Sequence, residues 1–311
     1  MPENPKPALG PAAPQVPDLV SLSLLRAIGE EQSLSRAAAR HGLSQPAVSA
    51  RLRALERRVG TTLVDRGPRG SRLTPAGALV AGWAGPVLDA AADLGAGLAS
   101  LRSDARGRLR LAASLTVAEH LLPGWLALYA AAHPDSTVTL DAMNSVRVEQ
   151  AVLDGSVDLG FVEGPNPPRG LRSRVVARDR LAVVVHPGHA WAHRSEPVEP
   201  RELAATRLVQ REPTSGTRTF LETALAGAGV GPSAAPVLEL STTSAVRSAA
   251  VAGAGPAALS LLAVSRDIAD GRLVEVDVAL DLRRPLRAVW RGDLGPAALD
   301  LLRIAGRLRE A

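Results

Sequence analysis

Cysteine is absent from all 311 residues, which excludes disulfide frameworks, thiolate-bound zinc, iron–sulfur clusters and thiol catalysis. Aromatics are scarce at 2%, so the core has to be built from Leu, Val and Ala, and a base-stacking platform for nucleic acid is disfavoured. Lys6 is the sole lysine, leaving arginine to carry the positive charge. No stretch reads as a membrane span. The most apolar one, Ser248–Ser265, has Gly253, Gly255 and Pro256 at its middle and reads as a buried helix–loop–strand. Residues 1–17 hold six prolines and no apolar leader, which predicts a disordered tail. Together these features predict a soluble, cytoplasmic chain with no membrane partner.

A length of 311 residues suggests about two domains at ~150 residues each. The net charge is +5, and its placement is uneven: residues 1–106 carry 13 basic against 9 acidic side chains, residues 107–311 carry 23 against 22. The basic excess is N-terminal, which points to a polyanionic partner there.

The segment from Asp18 to Gly60 reads as three short helices: about Leu19–Glu30, Leu34–His41, and a third after Ser44. Ser33 and Ser44 stand at N-cap positions, Gly42 supplies the left-handed turn, and Pro46 falls in a first turn where no helical amide partner is lost. Val48, Leu52, Leu55 and Val59 lie within about 60° of one another at roughly 100° per residue, forming an inner face. The opposite face carries Pro46, Ala47, Ser49, Ala50, Arg53 and Arg57. Small residues followed by arginines suit a helix that approaches base edges. Next, Arg66-Gly67-Pro68-Arg69-Gly70-Ser71-Arg72-Leu73 reads as an arginine-bearing hairpin, and Thr74-Pro75 opens another helix. The whole predicts a winged helix-turn-helix over 18–74.

These residues carry a family likeness. Ser33-Leu34-Ser35-Arg36-Ala37-Ala38, Leu43-Ser44-Gln45-Pro46-Ala47-Val48-Ser49, Leu52-Arg53-Ala54-Leu55-Glu56 and Leu73-Thr74-Pro75-Ala76-Gly77, with Gly60, Leu63 and Arg66 between them, resemble the LysR-type transcriptional regulators, collinear over about sixty residues. The resemblance implies that Ser33 and Ser44 bind phosphates and that Gln45, Pro46, Ser49 and Arg53 approach bases. Arg66, Arg69 and Arg72 would contact the backbone or minor groove, and Arg36 and Arg51 complete the candidate DNA contacts. Where the family often has a basic residue after the recognition-helix serine this chain has Ala50, and Val64 replaces a usual phenylalanine. The implied partners are double-stranded DNA bearing an interrupted palindrome, a second copy of the chain (dimer or tetramer) and RNA polymerase.

Residues 75–106 correspond to the family's linker and dimerisation helix, with Leu79, Trp83, Val87, Leu94, Leu98 and Leu101 at a rough 3–4 spacing. Gly77, Gly82, Gly85, Gly95 and Gly97 each cost about 1 kcal/mol in a helix interior, and Pro86 predicts a kink. From 107 onward strands and helices alternate: strands at Leu109–Ala113, Thr137–Asp141, Leu159–Val162, Leu181–His186, Leu208–Gln210, Ala257–Leu259, Leu273–Val278 and Leu286–Trp290, with helices at Glu119–Ala132, Val146–Leu153, Thr219–Ala228 and Ala297–Arg309. This alternation predicts an α/β domain with parallel strands. The resemblance implies two lobes like those of periplasmic binding proteins, lobe one at 107–167 and 275–311 and lobe two at 168–274, with a small-molecule effector between them.

Strand ends meeting helix N-termini should line that cleft. Ser114, Leu115 and Thr116 qualify, as do Thr214, Ser215, Gly216 and Thr217 in Arg211–Arg218; Thr243 is a further candidate. Hydroxyls and free amides at a helix start favour an anion. The second segment, and Phe161-Val162-Glu163-Gly164-Pro165, resemble the cysteine-biosynthesis and carbon-fixation subset, which implies a small anionic effector and adds Glu163 to the candidates. His186, His189 and His193 are interrupted by Pro187 and Gly188, a poor metal frame, and Asp154 and Asp158 read as a solvated face. No G-x-S-x-G, H-E-x-x-H, phosphate-loop or dinucleotide motif occurs. The reading is of a regulator without cofactor or catalysis; the alternative is a small-molecule binding module whose helical N-terminus only dimerises it.

Overall fold

The structure is a computed structural model describing residues 16–67, 70–104 and 107–307; the expected tail over 1–17 lies almost entirely outside them. The chain divides into two compact units, residues 1–92 and 93–311.

In the first unit α1 (Leu19–Glu31), α2 (Leu34–Arg40) and α3 (Gln45–Val59) are followed by an antiparallel ribbon, β1 (Val64–Gly67) and β2 (Gly70–Leu73). Most of the apolar stripes meet as their spacing requires, with Leu25, Ile28, Ala37, Val48, Leu52, Leu55 and Leu63 in the core; Val59, expected on the inner face of the third helix, is its last residue and is exposed. Gly42 and Gly60 end α2 and α3 with φ of 63° and 79°, a conformation that a side chain would strain. α2 stops one residue short of the expected His41, whose ring nitrogens lie 3.0 Å from the Ala37 carbonyl and 2.9 Å from Ser23 Oγ. Glu56 Oε1 accepts from the amides of Leu63 and Val64 at 2.9 and 3.3 Å, which fixes the start of the ribbon. α4 (Pro75–Asp104) runs on without interruption through Pro86, since one missing N–H is a loss that a 30-residue helix can absorb.

The second unit continues with β3 (Arg108–Ser114), α5 (Leu115–His120), α6 (Leu122–Ala132), β4 (Thr137–Met143), α7 (Ser145–Leu153), β5 (Leu159–Glu163) and β6 (Arg172–Val185). Then follow α8 (Pro200–Ala205), β7 (Val209–Arg211), α9 (Gly216–Gly227), β8 (Leu238–Leu240), α10 (Thr243–Val251), β9 (Ala257–Ser260), α11 (Leu261–Ala269), β10 (Val274–Val276), β11 (Arg283–Trp290) and α12 (Pro296–Arg307). Among the described residues they form a nine-stranded sheet in the order β4-β3-β5-β11-β6-β9-β7-β8, with β10 on β6. The first half of β6 pairs with β11, and its second half with β9 and β10. One strand thus serves both lobes. Lobe one packs Leu109, Phe161, Trp125 and Leu301 on one face and Val148, Val152 and Val289 on the other. Lobe two packs Val183, Leu203 and Phe220 against α8 and α9, with Val184, Val246 and Val264 opposite.

Several boundaries differ from the sequence reading. The expected helix Glu119–Ala132 is two helices, α5 and α6, because Pro123 lacks an amide and begins a new first turn after Leu121. β6 starts at Arg172 rather than Leu181. Its first half alternates charged and small residues and is an edge of lobe one, where solvent favours such a pattern. The return to lobe one falls near Leu282–Arg284, not at 275: β10 pairs with Val183–Val185, and Val276 and Leu282 belong to the lobe-two core. Asp158 is no solvated residue, since its buried carboxylate takes the Arg110 amide and guanidinium at 2.8 and 2.6 Å.

Candidate nucleic-acid interface and ligand cleft

In the first unit the short turn between α2 and α3 presents the start of α3 outward. Gln45, Pro46, Arg51 and Arg53 are exposed and Ser49 is half-buried, while Val48 and Leu52 are turned into the core. Ser33 Oγ accepts from the Arg36 amide at 3.3 Å and Ser44 Oγ from the Ala47 amide at 3.4 Å, so both serines cap the helices as the sequence predicts. Arg36 and Arg51 carry surface partners, Glu31 and Asp18; such exposed pairs are weak and exchangeable. Arg53 and Arg72 are exposed. Arg66 lies on β1, paired in register with Ser71, and Arg69 lies outside the described residues.

In the second unit the C-terminal ends of β3, β4, β5, β7, β8 and β9 carry the polar residues. Five helices start there at Ser114, Asn144, Ser215, Thr242 and Ser260. Three of these residues cap their own helix: Asn144 accepts from the Arg147 amide, Thr242 from Ala245 and Ser260 from Leu262. Ser114 and Ser215 do not. Both are 1% exposed, and neither hydroxyl has a hydrogen-bond partner among the described residues. Such groups lose solvation without recompense. Leu115 is half-buried and brings no polar group.

The two predicted segments converge on a residue the sequence reading missed. Arg284, at the start of β11, is 1% exposed. Its Nε donates to Asp179 Oδ2 at 2.9 Å, its Nη1 to Thr217 Oγ1 at 3.2 Å, and its Nη2 to Thr116 Oγ1 at 3.5 Å. Nη2 also stands 2.8 Å from Asp179 Oδ2 and 2.9 Å from Glu163 Oε2. The Glu163 contact is close but misaligned, for Oε2 has no hydrogen bond. Thr217 Oγ1 in turn donates to Glu163 Oε1 at 2.9 Å. Lobe one (Thr116, Glu163), lobe two (Thr217) and the shared strand β6 (Asp179) therefore meet on the guanidinium of Arg284.

Further residues complete the cleft. Ser145 Oγ donates to the Glu163 carbonyl at 3.0 Å. Asn144 Nδ2 donates to Glu212 Oε1 at 3.3 Å and to Thr214 Oγ1 at 3.0 Å, tying the lobes together. Buried Arg211 pairs with Glu212 at 2.8 Å and donates from Nη1 to Thr243 Oγ1 at 3.1 Å. Gly216 is required where it stands: a Cβ there would overlap the Glu163 carbonyl oxygen and come within 2.6 Å of Ser145 Oγ. The sequence carried no sign that singles out Arg284 from Arg283, or Asp179 from its charged neighbours, because burial of either depends on a partner strand more than a hundred residues away. Two of the three histidines serve turns: His186 Nδ1 accepts from the Gly188 amide and His189 Nδ1 from the Trp191 amide.

The model of the bacterial regulatory helix-turn-helix protein, lysR family, matches residues 19–78, and that of the LysR substrate binding domain matches residues 102–308. The chain belongs to the LysR family of bacterial transcriptional regulators. An HTH-type transcriptional regulator of Mycobacterium tuberculosis is 50% identical over 93% of this chain and 95% of its own length. The regulator YeiE of Escherichia coli is 32% identical over 88% of this chain and 90% of its own. Among solved structures, full-length OxyR from Pseudomonas aeruginosa superposes with a TM-score of 0.54 at 19% identity, over 93% of this chain and 99% of that one. The regulatory domain of Synechocystis CcmR in complex with 2-PG gives 0.58 at 22% identity, over 65% and 97%. These likenesses show the LysR architecture, a helix-turn-helix domain followed by a two-lobed α/β effector domain. Among the described residues no helix is long and apolar enough to cross a membrane.

Proposed function

We propose that this LysR regulator binds an interrupted DNA palindrome as a homo-oligomer and that a small anionic metabolite, held between the lobes, tunes that binding. Ser33 and Ser44 meet phosphates; Gln45, Pro46, Ser49 and Arg53 meet bases; Arg66, Arg69 and Arg72 follow the backbone or the minor groove. Leu79, Trp83 and Val87 on α4 are exposed apolar residues and pair with a second copy. The observation that carries the effector reading is the pair of buried hydroxyls on Ser114 and Ser215, one from each lobe, neither of which has a partner. At the start of twelve-residue α9, Ser215 stands beside first-turn amides that favour negative charge. Arg284 and Arg211 already have carboxylate partners, so hydroxyls and amides supply the remaining donors, from Thr116, Gly216, Thr217 and Thr243 as well as the two serines. CcmR is a solved relative with 2-PG in its regulatory domain. Closure around the ligand would shift the population of lobe arrangements and hence the spacing of the DNA heads.

The test is a gel-shift assay of the full chain on its own upstream DNA, across salt concentrations, with and without small oxyanions. Binding should weaken steeply with salt and change with anions; Ser49→Glu should abolish it, and Ser215→Ala should remove only the anion response. Salt-insensitive or absent DNA binding would refute the DNA half of the proposal. Stabilisation of the chain by neutral ligands but by no anion would refute the other half.

A further inference from the structure

The anion expected at the start of α9 is already there, and it belongs to the protein. The Glu163 carboxylate takes the hydroxyl of Thr217, the second residue of α9, and lies against Arg284. We infer that Glu163 is a built-in competitor for the effector, holding the anion position of the cleft until a ligand oxyanion displaces it. This inference rests on the anionic-effector reading above.

Two observations support it. The first is charge: one guanidinium, with its side chain 0% exposed, is shared by two carboxylates that are 2% and 1% exposed. A third anion placed beside them would leave two uncompensated negative charges in a dry site, which is prohibitively costly. One carboxylate must therefore leave when an anionic ligand arrives. The second is which one can leave. Asp179 makes an aligned hydrogen bond with Arg284 Nε at 2.9 Å, whereas Glu163 Oε2 touches the same guanidinium without an aligned bond. Asp179 also stands directly opposite Arg284 in the β6–β11 register, while Glu163 stands opposite Leu286 and is the last residue of β5.

The competitor also links occupancy to lobe geometry. Glu163 belongs to lobe one and Thr217 to lobe two, so their 2.9 Å hydrogen bond crosses the cleft. A ligand that takes the place of the carboxylate takes over that bond.

Isothermal titration of the full chain with sulfate and with inorganic phosphate tests the idea. Glu163→Gln keeps the shape and removes the charge, and Glu163→Ala serves as a second variant should the first not fold. With the competitor neutralised, affinity for either anion should rise by at least about tenfold, the worth of one charge-assisted hydrogen bond. Anion binding by the unaltered chain that is unchanged or weakened in these variants overturns the competitor role and leaves the anionic effector standing. If no form of the chain binds either anion, both readings fall together.

Discussion

Gly216→Ala and Gly227→Ala place the same methyl group at the two ends of α9 and should act with opposite sign. At Gly216 the new carbon would overlap the Glu163 carbonyl oxygen and lie 2.6 Å from Ser145 Oγ and 2.7 Å from Glu163 Cγ. Two of these neighbours are backbone or fixed by it, so α9 must move off the end of β5. Overpacking of this kind costs about 1–3 kcal/mol. The displaced helix also loses the Thr217–Glu163 bond, worth about another 1 kcal/mol. At Gly227 nothing lies within 4 Å of the new carbon, and alanine in place of glycine in a helix gains about 0.5–1 kcal/mol. For a unit of this size each kcal/mol moves the melting midpoint by roughly 2–4 °C. Differential scanning calorimetry of the two variants should therefore show Gly216→Ala melting lower by several degrees and Gly227→Ala slightly higher. Equal midpoints would mean that α9 does not press on β5, and the cleft geometry argued above would be wrong.

Arg284→Met leaves Glu163 and Asp179 buried without a cation, which should cost about 3–5 kcal/mol in chemical denaturation; adding Glu163→Gln and Asp179→Asn should recover most of it, and a mild effect of the single change would refute the hub. Trp83 is 69% exposed within one chain, so Trp83→Asp should leave the helical content by circular dichroism unchanged while shifting the chain toward monomer in sedimentation. Burial raises the Glu149 carboxyl above its ordinary value. The folded state therefore holds that proton more tightly than the unfolded one, and stability falls as pH rises through the window above the ordinary glutamate value. Glu149→Gln should thus be the more stable form at neutral pH, with the difference fading by about pH 4, below both values. A difference that grows on acidification would contradict the burial argument.

How much of this was legible without coordinates follows from the range of each interaction. The helix-turn-helix could be read closely because caps, the turn glycine and the apolar stripe act over three to eight residues. Gly42, Ser33, Ser44 and the Val48–Leu52–Leu55 face stand where the pattern puts them. The strand ends and hydroxyl-rich helix starts of the effector domain were visible for the same reason. Less visible was the first half of β6, whose charged alternation looks like a loop until β11 is laid beside it.

Local pattern alone could say that Ser114 and Ser215 precede helices; it could not say that they leave their caps unmade, since that depends on where neighbouring atoms lie. Arg284 is the sharper case. Its partners Thr116, Glu163, Asp179 and Thr217 come from four separate segments, up to 168 residues away, and a guanidinium becomes a buried hub only when distant strands close over it. The amino-acid order by itself determined a DNA-binding head and a two-lobed sensor. The tertiary arrangement decided which charge occupies the sensor, because desolvation is a property of the assembled site and of no single segment.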